Sequence, residues 1–120
     1  MKKLLFFLLI FLLLNCSKTE SRRNECVKEV SEKLMVNIPK NCHVVNYSTQ
    51  GAIGDFSIYF ELKFSKPTFD SLFMLIDSNL YSFDSTRNLY SYNTIRNSKE
   101  IVSITFSKVE STIYYSCMNE

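Results

Sequence analysis

From Phe56 to Phe64 the chain alternates without a break: Phe56, Ile58, Phe60, Leu62 and Phe64 fall on one parity, Ser57, Tyr59, Glu61 and Lys63 on the other. Successive side chains of a strand point to opposite faces, so this pattern predicts a half-buried antiparallel strand with one apolar face. That face needs a cover, and the next segment supplies one. Ser65 can cap a helix and Pro67 is tolerated in its first turn. Phe69, Leu72, Phe73, Ile76 and Leu80 then recur at helical spacing, predicting a helix over Lys66–Ser78 whose aromatic stripe packs on the strand.

The flanking elements follow from the same periods. Val27, Val30 and Leu34, flanked by Cys26 and Met35, predict a helix over Asn24–Val36, with Asn24 as its cap, Glu29 and Lys33 paired on its wet face and Pro39 beyond its end. Cys42–Tyr47 reads as a strand, and Ser48–Gly54, with Gly51 and Gly54, as a turn. Ile101–Ser107 and Thr112–Met118 read as two strands joined by Lys108–Ser111. Tyr81–Glu100 has no strong period; it holds either a short strand near Asn88–Tyr92 or a functional loop. The expected fold is α+β: an antiparallel sheet of four or five strands with two amphipathic helices packed on one face, in one domain over residues 24–120.

The first sixteen residues, MKKLLFFLLIFLLLNC, are of another kind. Lys2 and Lys3 precede an apolar run from Leu4 to Leu14, which as a helix reaches ~17 Å against ~30 Å of bilayer hydrocarbon. Basic residues, a short apolar core and a processing site make an export signal. Leu13-Leu14-Asn15-Cys16 resembles the lipobox of bacterial lipoproteins, with Asn15 where Gly, Ala or Ser is usual. The resemblance covers residues 1–16 only. It implies that residues 1–15 are a signal peptide, that Cys16 takes a thioether-linked diacylglycerol, and that acyl chains hold the protein on a lipid bilayer; two or more chains suffice for stable attachment. Ser17 after the cysteine favours the outer membrane in families that sort by that residue. Residues 16–23 then form the lipidated cysteine and a polar tether.

Lys2 and Lys3 carry the net charge of +2, and without them 12 basic residues balance 12 acidic ones. With no basic cluster, nucleic acid is not an expected partner. With Cys16 lipidated, Cys26, Cys42 and Cys117 remain. A disulfide between Cys26 and Cys42 closes the shortest loop, and burial of all three as small hydrophobes is the other reading.

Candidate chemistry is sparse. Cys42 and His43 are adjacent on a strand and project to opposite faces, so they cannot meet as nucleophile and base. Three cysteines and one histidine lack the close spacing of a zinc site. Asp70 and Asp77, seven apart on a helix, stand ~10 Å from each other, too far to share a proton. Gly51-x-x-Gly54 has neither the lysine nor the following helix of a phosphate cradle. No catalytic residue, metal or cofactor is therefore expected. What remains is recognition by a surface rich in Tyr, Ser and Asn, for which Tyr81, Tyr90 and Tyr92 are the candidates and Tyr59 an addition. The expected role is a non-enzymatic envelope lipoprotein with a protein or envelope partner; the alternatives are an immunity-type protein that neutralises a toxin and a small envelope enzyme.

Overall fold

The computed structural model describes residues 19–52, 55–92, 95–96 and 99–119. The leader, Cys16 and Gly54 lie outside the described residues.

Helix α1 occupies residues 19–34 of the described chain and buries Cys26, Val27, Val30 and Leu34. It begins before Asn24, so part of the expected tether is helical and Asn24 is an interior residue. Glutamate and arginine favour helix without an apolar face, and Glu20 and Arg23 pair at i, i+3 (3.8 Å). The helix ends in a left-handed residue, Met35 (φ 56°), with Val36 N–H donating to the Ser31 carbonyl at 3.2 Å. This is a Schellman closure with methionine where glycine is usual. Ser31 Oγ accepts from Ile38 N–H at 3.2 Å and holds the exit segment against the helix.

Strands β1 (His43–Ala52) and β2 (Asp55–Lys63) form a hairpin. The strand continues through most of the segment read as a turn. Gly51 has φ +130°, and a Cβ there would lie 1.7 Å from the Asp55 carbonyl oxygen, so the hairpin end admits only glycine. A bulge sets Asn46 and Tyr47 opposite Phe60, with Asn46 left-handed (φ 55°). It turns the Tyr47 ring onto Phe60 (6.3 Å between centroids), while the Asn46 amide donates to Glu61.

Helix α2 (Lys66–Leu75) crosses from β2 to the far side of the sheet and buries Phe69, Leu72 and Phe73. It stops short of Ser78: Asp77 instead caps a 3-10 turn at Ser78–Leu80 by accepting from Asn79 N–H at 3.0 Å, and Leu80 is left partly exposed.

Strands β3 (Tyr81–Asp84), β4 (Leu89–Tyr92), β5 (Ile95–Arg96), β6 (Glu100–Ser107) and β7 (Thr112–Asn119) complete the sheet. The order is β1-β2-β7-β6-β4-β3, with the two-residue β5 paired to β6, and every pairing is antiparallel. After α2 the chain returns strand by strand until β7 docks on β2.

The α+β class and the antiparallel sheet with two helices on one face stand as expected, but the strand number exceeds four or five. The short strand expected near Asn88–Tyr92 is β4, and the additional strands are the two-residue β5 and β3, which makes Tyr81–Tyr92 a hairpin. Asp84 closes its turn by accepting from Thr86 N–H (3.0 Å), Arg87 N–H (3.4 Å) and Arg87 Nε (2.8 Å), and Asn88 takes the left-handed position (φ 55°).

Both helices cover the face that carries Phe60, Leu62, Val102, Ile104, Phe106, Ile113 and Tyr115, all buried. The opposite face carries Tyr59 and Glu61 of β2, Tyr114 and Ser116 of β7, Ser103 and Thr105 of β6, Ser91 of β4 and Ser82 of β3. Register joins Ser82, Ser91, Thr105, Tyr114 and Glu61 in one row across five strands. No helix among the described residues covers this face.

Candidate functional site

Where α1 crosses β7 and the start of β6, five polar side chains form a chain of contacts. The Tyr115 hydroxyl donates to Glu29 Oε1 at 2.6 Å, and Lys33 Nζ lies 4.0 Å from Glu29 Oε1 and 3.6 Å from Glu100 Oε1. The Cys117 thiol donates to Glu100 Oε1 at 3.0 Å. Local geometry brings them together: Glu29 and Lys33 are one helical turn apart, while Tyr115 and Cys117 share a strand face. The Glu29–Lys33 pair therefore sits on the seam between helix and sheet, not on a wet face. Beside it opens a cleft of about 260 Å³, walled by Tyr47, Phe56, Ile58 and Phe60 and rimmed by Glu25, Glu29 and Glu100.

The electrostatics holds Cys117, Glu100 and Tyr115 in their resting forms. Burial, with the Glu100 bond next, pushes the Cys117 thiol up to about 11. The thiol bond, aided by Lys33, holds Glu100 below the usual carboxylate range. Burial and the bond to Glu29 push the Tyr115 hydroxyl well up. A protonated thiol is a poor nucleophile, and none of these shifts brings a general acid or base toward neutrality.

Cys26 and Cys42 are buried in the same core, close enough that a charge on Cys42 raises the pKa of Cys26, yet both are free thiols. The possible disulfide is therefore not formed in this structure, and the two side chains pack as small hydrophobes. Burial pushes each up to about 11, against the opposing charges of Arg22 near Cys26 and Arg23 near Cys42. Cys42 is buried and His43 exposed, so the adjacent pair diverges. Asp70 pairs with Lys66 (3.8 Å) and Asp77 caps the 3-10 turn, two unconnected roles. Among the described residues no three His, Cys, Asp or Glu side chains are grouped to hold a metal, and no helix is long and apolar enough to cross a membrane.

Tyr81, Tyr90 and Tyr92, the candidate binding surface, are half-buried on the helix-covered face and pack against the core. Tyr81 and Tyr90 each stand 4.9 Å from Phe73, and 5.5 Å from each other. Their rings serve the core because the register puts Tyr90 opposite Phe106 and Tyr81 opposite Tyr92 on that same face. The tyrosines on the uncovered face are Tyr59 and Tyr114. The Tyr114 hydroxyl donates to Glu110, and burial together with Glu61 pushes the Tyr59 hydroxyl up.

Sequence reasoning did not single out Tyr115 or Glu100, and it weighed Cys117 only as one of three thiols and not as a partner of Glu100. Their signal was the even spacing of Tyr115 and Cys117 on a strand, which places two polar tips on an apolar face. Compared with known proteins, the chain matches no family model, no curated protein and no solved structure.

Proposed function

We propose that the protein is a bacterial lipoprotein, held on the envelope by acylated Cys16, which acts by binding a protein or envelope component and not by catalysis. The observation that carries this reading is the leader: eleven apolar residues, too few to span a bilayer, running into Leu-x-x-Cys. Ser17 supports the outer membrane as the destination. The Cys117 thiol and the Glu100 carboxylate, both held in their resting forms at the α1 seam, support a non-enzymatic role. The recognition surface is the uncovered sheet face, where Tyr59 and Tyr114 stand among Ser82, Ser91, Ser103, Thr105 and Ser116. Tyrosine offers contact area at low entropy cost, and small hydroxyl residues adapt around it.

Metabolic labelling with a radioactive fatty acid tests the anchor. Wild-type protein incorporates label and fractionates with membranes; the Cys16→Ser variant does neither. An unlabelled wild-type protein, or label retained in the variant, overturns the reading. The binding face is tested by photocrosslinking from position 59: one discrete adduct is expected, abolished by Ser103→Arg on the same face.

A further inference from the structure

The cleft under α1 joins two chemistries that neither the anchor nor the open face uses. One wall is aromatic and apolar, formed by Tyr47, Phe56 and Phe60, and Phe56 is left 43% exposed there. The facing rim carries Glu25, Glu29 and Glu100 from two different elements. Glu29 and Glu100 share one ammonium, that of Lys33, and Glu25 makes no ion pair or hydrogen bond with the described residues.

We propose that this cleft binds a small organic cation, a primary amine or guanidine on a short apolar stem. The chain's own cations show both halves of such recognition at its edges. The Arg22 guanidinium lies 4.4 Å over the Tyr47 ring, and the Lys33 ammonium lies 3.6 Å from Glu100. A ligand seated between them lays its stem on the exposed Phe56 ring and turns its charge toward Glu25. A volume of about 260 Å³ holds roughly nine waters at ~30 Å³ each, which suits a molecule the size of tyramine or agmatine. Three carboxylates against the Lys33 ammonium and the Arg22 guanidinium leave the rim net negative and disfavour an anion, and a neutral analogue forgoes the charge-assisted bonds that the rim offers.

The test is NMR titration of the full chain in nonionic detergent with tyramine, with agmatine, with 4-ethylphenol (the tyramine ring without the ammonium) and with 3-(4-hydroxyphenyl)propionate. Tyramine is expected to bind saturably, with millimolar affinity or better, at least about tenfold more tightly than either analogue. The shifts are expected to map to Tyr47, Phe56 and Cys117. Glu25 is exposed, so Glu25→Gln keeps the fold and weakens tyramine severalfold; Phe56→Ala weakens tyramine and agmatine alike. Equal binding of 4-ethylphenol, shifts elsewhere on the molecule, absence of saturation, or wild-type affinity in both variants overturns the proposal. None of these outcomes depends on acylation of Cys16.

Discussion

The Tyr115 hydroxyl and Glu29 Oε1 meet at 2.6 Å across 86 residues of sequence, tying the middle of β7 to α1. The ring below that hydroxyl stacks on Phe60 at 4.7 Å, so one side chain serves both the aromatic core and the polar seam. Tyr115→Phe removes the oxygen and keeps the stack. A hydrogen bond to a charged group contributes about 1.5–3 kcal/mol, and the half-buried Glu29 keeps Lys33 as a second partner, so a loss of about 1–2 kcal/mol is expected. In a domain of this size that lowers Tm by about 4–12 °C. Unchanged thermal melting in Tyr115→Phe shows that the bond contributes nothing.

Phe73 stands at the centre of a second cluster. Its ring lies 5.9 Å from Phe69, 4.9 Å from both Tyr81 and Tyr90, and 5.8 Å from Phe106, with Lys108 Nζ 4.6 Å above it. Phe73→Ala opens a cavity that rigid rings cannot close, and the expected cost is about 3–5 kcal/mol. The neighbouring Met74 is exposed, and Met74→Ala is expected to stay within about 0.5 kcal/mol of wild type. Denaturant midpoints of the two variants separate these outcomes; comparable shifts exclude the hub role of Phe73.

The same ring shows what could be read before folding. Its helical spacing with Phe69 and Leu72 placed Phe73 in the core, and the period of β2 named Phe60 and Leu62 as its companions. Those signals are local, repeated over several residues, and survive small errors at element ends. Tyr81 and Tyr90 were opaque because their hairpin closes through Asp84 and Asn88, without the Asn-Gly or Asp-Gly pair that marks tight hairpins, and because a four-residue strand shows barely two periods. The site was less legible still. Glu29 was visible as half of an i, i+4 pair, but the face it takes depends on where α1 crosses the sheet. That crossing is set by the β2–β7 pairing, a contact between distant segments that no local pattern encodes.

Met35 closes α1 with φ 56° and is 90% exposed, so its side chain gains little from packing while its backbone sits where L-residues are strained. Glycine is unstrained in that conformation. Met35→Gly is expected to stabilise the protein by about 0.5–1 kcal/mol, after allowing for the greater freedom of glycine in the unfolded chain. Differential scanning calorimetry checks the sign. A lower Tm in Met35→Gly shows that the Met35 side chain contributes contacts beyond the helix end.

The buried thiols predict an alkaline limit to stability. Cys26 and Cys42 titrate near 11 in the folded protein against an ordinary value of 9.0. Between those values the unfolded chain has released protons that the native state still holds. Their contribution is therefore fully present below pH 9 and lost as pH rises through 11, by about 2 kcal/mol for each thiol at the upper end. The raised Tyr114 and Tyr115 hydroxyls act in the same direction at still higher pH. Urea midpoints under reducing conditions are expected to hold steady up to about pH 9 and then fall. At pH 8, iodoacetamide should modify the half-buried Cys117 first, reaching Cys26 and Cys42 at the rate of global opening. A midpoint that stays flat through pH 11, or prompt labelling of Cys26 in the native state, contradicts burial of these thiols between α1 and the sheet.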